Sequence, residues 1–357
     1  MESRNASTNY APATADAKDS VNYYVIRNRR GSELVVADRG AAVVSLKVPD
    51  RYGNNGDVVL GYEDKQDYLE DEYYLGTVVG RYANRISGEA VDIDGVTYRL
   101  HTKEGGYHLH GGEVGFNKRQ FKATTFESNG LQGIEFNYTS PHLEEGFPGQ
   151  LQLRVIYTLD DNNAWTVEYR AISDRTTLLN LTQHAYFNLT GDPSASITGH
   201  QLRINSKFYL PVNGLQVPTG ELAEVAGTVF DFNAFKEIGR DINNPDPQLV
   251  MSGGYDHSFV LEERYTQHMK TAAEVYDPIS GRKLEVSTMQ PAVHFYSGNY
   301  LQGLKGKNGA IYNARSGFCL ETQHFPDAPR HPHFPSTILK AGEEFYSKTI
   351  FRFSVVD

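Results

Sequence analysis

Leu151–Ala171 reads LQLRVIYTLDDNNAWTVEYRA. Leu151, Leu153, Val155, Tyr157 and Leu159 fall at every second position, with Gln152, Arg154 and Thr158 between them. Alternation at period two is the pattern of a strand with one face in a core and the other toward water. Asp160–Asn163 turns the chain, and Trp165, Val167, Tyr169 and Ala171 resume the alternation. Two such segments joined by a short polar turn predict an antiparallel hairpin buried on one side.

Further short apolar runs flank this hairpin on both sides. Leu34–Val36 and Ala41–Val48 are short apolar runs split by Asp38-Arg39-Gly40. Ala90–Ile93 and Val96–Leu100 flank Asp94-Gly95, and Phe121–Phe126 and Leu131–Tyr138 flank Asn129-Gly130. Both dipeptides are two-residue hairpin signals, because each supplies the positive φ angles of a type I′ turn. Ala273–Tyr276 and Lys283–Ser287 bracket a further turn, and Glu344–Val356 is again strand-like. Helical periodicity is scarce; Gln66–Tyr74 and Asn233–Ile238 are the two candidates for short helices. Many short strands punctuated by 33 Gly and 15 Pro predict an all-β fold, a large antiparallel sandwich or barrel. Neither a composition shift nor a fixed-period repeat marks a second unit. The expected organisation is a disordered tail at residues 1–20 and one β domain over residues 21–357.

Composition narrows the function classes. The chain carries 34 Lys+Arg against 44 Asp+Glu, a net charge of −10. Nucleic-acid binding needs a basic face, and the densest basic run, Arg27–Arg30, reads as a solvated strand end. A neutral polar small molecule fits better than a phosphorylated one. The single cysteine, Cys319, excludes an intrachain disulfide and a Cys-based zinc site. No apolar run approaches the ~18–20 residues of a membrane-spanning helix. The first twenty residues lack the basic start and apolar middle of a signal peptide, so the expected compartment is the cytoplasm, with the periplasm or secretion open if a leader was removed. Four N-x-S/T sequons occur, at Asn5, Asn137, Asn180 and Asn188. Two lie in the central polar stretch, where a glycan would block it, so they read as chance matches.

Polar residues cluster at a few places within this apolar strand sequence. In NLTQHAYFNLTG, His184 sits among strand formers; it is either a satisfied core histidine or a proton donor. In FCLETQHF, Cys319 and Glu321 point one way if the segment is extended, and Phe318 and Leu320 the other. A carboxylate in so apolar a segment is expected to be at least half buried, and is then either paired with an arginine or functional. His108 and His110 would share a face of an extended segment, and with Glu113 they suggest a cupin-like metal site, although the spacing is short and no matching second half follows. His331-Pro332-His333 reads as a surface loop.

Taken in order, GRYANRI, LHGGEVGFNKRQF, NLTQHAYFNLTG, GYDHSF, and FCLETQHFPDAP followed by LKAGEEF resemble the successive signatures of the aldose 1-epimerases, the galactose mutarotases. The resemblance runs from about Val21 to Phe353. It implies a large antiparallel β-sandwich that interconverts the α and β anomers of free aldoses, with no cofactor and no metal. It implies His184 as general acid and Glu321 as general base. It implies Asn84, Arg85, His110 and Asp256 as sugar-binding residues. His294, in QPAVHFYSGN, falls where many members carry Gln, yet either side chain can donate to a sugar hydroxyl. The residue types suit the chemistry: ring opening removes a proton from the C1 hydroxyl and delivers one to the ring oxygen, which a carboxylate and an imidazolium can do together. The alternatives are a catalytically silent sugar-binding sandwich and a metal-dependent isomerase using His108, His110 and Glu113. Oligomeric state, monomer or dimer, and the preferred aldose have no signature in the sequence.

Overall fold

The computed structural model describes residues 20–103 and 105–356. The expected tail, apart from Ser20, lies outside the described residues. The 151–171 stretch forms the anticipated hairpin: Leu151–Leu159 pairs antiparallel with Ala164–Ser173, Leu153 opposite Ala171 and Tyr157 opposite Val167. It lies within a nine-stranded sheet. In spatial order the strands are Lys122–Ser128, Leu131–Ser140, Leu151–Leu159, Ala164–Ser173, Glu344–Val355, Arg282–Thr288, Lys270–Tyr276, Gln201–Ile204 and Lys236–Glu237. Asp94, Gly95, Asn129 and Gly130 have φ of 52°, 77°, 52° and 77°, the left-handed pairs that tighten their hairpins.

A four-stranded sheet (Tyr23–Arg27, Glu33–Ala37, Val43–Pro49, Asn55–Asp57) and a five-stranded one complete the sandwich. The five-stranded sheet runs Ala223–Glu224, Phe208–Tyr209, Asp256–Val260, Ala292–Tyr296, Cys319–Gln323. Leu34, Val36 and Leu46 from the first, and Phe259, Val293, Phe295 and Leu320 from the second, join Val155, Tyr157, Trp165 and Val167 in one apolar cluster. Trp165 stacks on Phe351 with ring centroids 4.8 Å apart. Burial of side chains this size contributes roughly 1.5–3 kcal/mol each, which is what holds the sheets face to face.

The two expected helices do not form. Gln66–Tyr74 yields one 3-10 turn, Lys65–Leu69, capped by the Asp64 carboxylate on the Gln66 N–H. Asn233–Ile238 instead places Lys236–Glu237 on the sheet edge beside Gln201–Leu202, because Ile238 is buried and edge pairing satisfies its neighbours' backbone. Conversely, Pro247–Ser252 is an α-helix, with Asp246 as N-cap, proline at its start and Gly253 in the left-handed conformation at its end. No helix among the described residues is long and apolar enough to cross a membrane.

What positions the site is the alternation of the five-stranded sheet. Phe259, Val293, Phe295 and Leu320 fill the core. The alternate residues take the opposite face, Ser258 opposite His294 and His294 opposite Glu321, with Asp256 opposite Tyr296 and Tyr296 opposite Cys319. One face of this sheet is therefore apolar and the other is lined by groups that can bond or exchange protons.

Candidate active site

Short ladders bring the polar segments over that face. Thr182–Gln183 pairs with Val78–Val79, and the His184 N–H donates to the Thr77 carbonyl at 2.9 Å. Arg85–Ser87 pairs with Tyr107–Leu109, Arg85 opposite Leu109. Asn180 ties three segments together: its Nδ2 donates to the Ala83 carbonyl at 3.2 Å, and its Oδ1 accepts the His324 N–H at 2.9 Å. Asn84, Arg85, His110, His184, Asp256, His294 and Glu321 all line one cavity of about 150 Å³, together with Tyr74, Tyr186, Tyr296 and Tyr300.

His184 Nε2 stands 3.6 Å from Glu321 Oε1, and both residues are buried, 4% and 1% exposed. The gap is too wide for a hydrogen bond. Glu321 Oε2 is buried with no partner among the described residues. On the other side of the ring, Nδ1 lies 3.6 Å from the Cys319 sulfur. Burial pushes the Cys319 thiol pKa well up, with the Glu321 charge adding to it, so this sulfur keeps its proton. Tyr74 leans over both histidines, its ring 4.6 Å from that of His110 and 5.9 Å from that of His184.

A second chain of contacts runs along the sheet. His294 Nε2 is 2.7 Å from Asp256 Oδ1, and its Nδ1 is 2.8 Å from Ser258 Oγ. A carboxylate only accepts, so Nε2 donates to Asp256, while Nδ1 faces the Ser258 hydroxyl. Burial alone would raise the Asp256 carboxyl; the His294 hydrogen bond and the charges of His294 and Arg85 outweigh it and hold it below the usual carboxylate value. Both His294 nitrogens are thus engaged within the protein, and its Nε2 also meets Asn84 Nδ2 at 3.4 Å.

His110 has φ +49° and accepts the Asn84 N–H on Nδ1 at 3.2 Å. Burial, then the neighbouring His184, Arg85 and His294, pushes its pKa well below the usual imidazole value. The neutral ring therefore carries its proton on Nε2. His110, His184 and Glu321 bring one donor atom each within 4.8 Å of one another. The cluster does not suit a metal, because His110 has a proton on one nitrogen and an N–H donor on the other, and a ligating histidine needs a free lone pair. The His108, His110, Glu113 constellation is also overturned. The left-handed turn at His110 ends the extended segment, so the two rings do not share a face. His108 Nδ1 bonds the His101 carbonyl at 2.7 Å and its ring packs on Phe147 at 5.1 Å, while the Glu113 side chain is 70% exposed.

Two lining tyrosines, Tyr74 and Tyr300, and two residues that bond lining groups, Ser258 on His294 and Gln216 on Arg85, were not singled out from the sequence. Ser258 was legible, since it falls two residues after Asp256 and so on the same strand face. Tyr74, Tyr300 and Gln216 were not, because they arrive on irregular segments. Arg85 Nη2 donates to Gln216 Oε1 at 2.9 Å. The sequons at Asn180 and Asn188 are buried, with their amides bonded inside the protein, which leaves a glycan no access.

The aldose 1-epimerase family model matches residues 22–352. The chain is 44% identical over 317 residues to galactose mutarotase of Bos taurus, covering 88% of this chain and 89% of that protein. It is 36% identical over 347 residues to aldose 1-epimerase of Escherichia coli K12, covering 97% and 99%. Its fold is similar to the crystal structure of an aldose epimerase homologue from C. elegans, with a TM-score of 0.83 at 29% identity, covering 95% and 100%. With a shared sandwich, a match along nearly its whole length and this polar cavity on the sheet face, the chain belongs to the aldose 1-epimerase family and is an isomerase of that general type.

Proposed function

We propose that this chain interconverts the α and β anomers of free hexoses of the glucose and galactose kind. On this reading Glu321 takes the proton of the C1 hydroxyl while His184, protonated on Nε2, gives one to the ring oxygen. The C1–O5 bond opens to the aldehyde, C1 turns about C1–C2, and the ring recloses on its other face with the protons returned. No electron or group leaves the sugar, so the chemistry calls for proton donors, acceptors and positioning alone. The observation that carries the reading is the 3.6 Å approach of His184 Nε2 to Glu321 Oε1, with Oε2 buried and unpartnered at the cavity wall. A carboxylate without a protein partner in so dry a place needs a proton or a ligand donor to offset its burial.

The remaining lining groups divide by what they can offer. His110 Nε2–H is a fixed neutral donor. Asp256 is an ionised acceptor, one oxygen held by His294 and the other available to a sugar hydroxyl. Arg85 and Asn84 add donors at the same wall. His294 acts through Asp256 in this account, keeping its carboxylate charged.

Polarimetry tests the proposal. Freshly dissolved α-D-glucose or α-D-galactose drifts in rotation as it equilibrates, and the protein should speed that drift. A chain that binds the sugar by titration yet leaves the drift rate unchanged would be the silent binding module instead.

A further inference from the structure

Gln216 lies on no strand and in no motif of the sequence, yet its side chain bonds Arg85, which lines the cavity. It sits in a tight loop whose ends meet at the Val212–Pro218 bridge. Asn213 organises that loop: its carbonyl accepts the Gln216 N–H at 2.7 Å, and its Oδ1 accepts the Leu215 N–H at 2.9 Å and the Val217 N–H at 3.2 Å. Gln248 fastens the loop to the Pro247–Ser252 helix, its amide bonding both the N–H and the carbonyl of Val212 at 2.7 and 2.9 Å.

Within this loop Gln216 has φ +57°. A left-handed backbone strains a side chain with a long stem, and glycine or asparagine would occupy it at lower cost. The glutamine side chain is fully used. Oε1 accepts from Arg85 Nη2 at 2.9 Å, and Nε2 donates to Tyr300 Oη at 2.7 Å. The Tyr300 hydroxyl in turn donates to the Ser252 carbonyl at 3.1 Å. Donors and acceptors run in one consistent direction along the chain Arg85, Gln216, Tyr300, Ser252. Arg85 Nε is buried without a partner among the described residues, so the guanidinium depends on Gln216 and on the Tyr107 ring, 5.7 Å away, for its orientation.

We propose that Gln216 is a positioning residue that presets the Arg85 guanidinium at the cavity wall and ties it to the rim tyrosine Tyr300. The assignment rests on the reading that this cavity binds the sugar. Its role is to spare Arg85 the cost of ordering when the sugar arrives, so its loss weakens substrate binding and leaves proton transfer at Glu321 and His184 intact.

The test is anomer-exchange kinetics with galactose on wild type, Gln216→Gly, Gln216→Glu, Arg85→Met and the Arg85→Met/Gln216→Gly double variant, with a melting curve for each. Gln216→Gly should raise KM about fivefold or more, with kcat within about twofold and Tm unchanged or higher, since glycine relieves the backbone. Gln216→Glu keeps an acceptor for Arg85 and should restore most of the affinity. The double variant should have the KM of Arg85→Met alone, because Gln216 acts through that residue. An unchanged KM in Gln216→Gly, or an additive increase in the double variant, overturns the assignment while the parent reading stands. Absence of turnover in the wild type overturns the parent reading and the assignment with it.

Discussion

His184 and Glu321 approach within 3.6 Å although neither shares a sheet with the other. His184 follows the short Thr182–Gln183 ladder on Val78–Val79; Glu321 stands mid-strand in the five-stranded sheet. The two residues are 137 positions apart in sequence, so the meeting depends on the tertiary fold and on nothing local. A separation just beyond hydrogen-bond range keeps both groups available to a third atom.

That geometry predicts the behaviour of single variants. Glu321→Gln and His184→Asn should each lower kcat about 10²–10⁴-fold, the usual contribution of one positioned proton-transfer group. The double variant should be little worse than the poorer single, because two groups that act on one event do not contribute independently. Anomer-exchange NMR reads both numbers. Either single variant keeping more than a tenth of wild-type turnover would remove that residue from the chemistry.

His294 should matter through Asp256. Removing its ring takes away the hydrogen bond and charge that oppose burial, and the Asp256 carboxyl then rises from its depressed value. His294→Ala should raise KM about tenfold, the scale of a lost hydrogen bond to a charged group. It should also move the acid limb of sugar binding to higher pH, since the carboxylate now takes up a proton sooner. His294→Gln, which can still donate to Asp256, should recover much of both. Binding titrations from pH 5 to 8 decide it: an acid limb that stays put in His294→Ala shows that the ring does not govern the carboxylate.

The sequence showed the sandwich more fully than the site. Alternation in Leu151–Leu159 and Ala164–Ser173 is a period any core-facing strand must keep, so those strands and their Asp-Gly and Asn-Gly turns were legible. Glu321 was legible for the same reason, as the polar member of an apolar strand. His110 misled, because the period-two argument assumes an extended chain and a left-handed residue there breaks it. Gln216, Tyr74 and Tyr300 carry no period at all; their places are set by loop closure over the sheet, which only the three-dimensional contacts reveal. The short helix at Pro247–Ser252 had its cap residues in plain sight but is too brief for a hydrophobic period.

Gly111 should tolerate no side chain. Its φ is +89°, and a Cβ there would collide with the Gly80 carbonyl oxygen. That contact is where the segment carrying His110 crosses the segment that leads to Asn84 and Arg85. Gly111→Ala therefore combines backbone strain with overpacking against main chain, on the order of 3 kcal/mol. Urea unfolding should show the lost stability, and whatever folds should bind sugar weakly because His110 and Asn84 are displaced together. A variant within about 0.5 kcal/mol of wild type would mean that the two segments can separate freely.

Acid should destabilise the protein through its buried histidines. Burial pushes the pKa values of His108, His200 and His324 down to about 4 and that of His257 down to about 3. The unfolded chain binds protons at these rings near pH ~6.5, and the folded protein refuses them. Their contribution is fully present above that value and is lost as pH falls toward the folded values. Each ring forfeits ~1.4 kcal/mol per pH unit in this window, so by pH 5 four of them remove several kcal/mol from a margin of typically ~5–15. Denaturant titrations at pH 7, 6 and 5 should show a steep decline. His108→Gln, which keeps a donor for the His101 carbonyl and cannot take up a proton, should flatten it by about one ring's share. Equal stability at pH 7 and pH 5 would show that these histidines accept protons without opening the core.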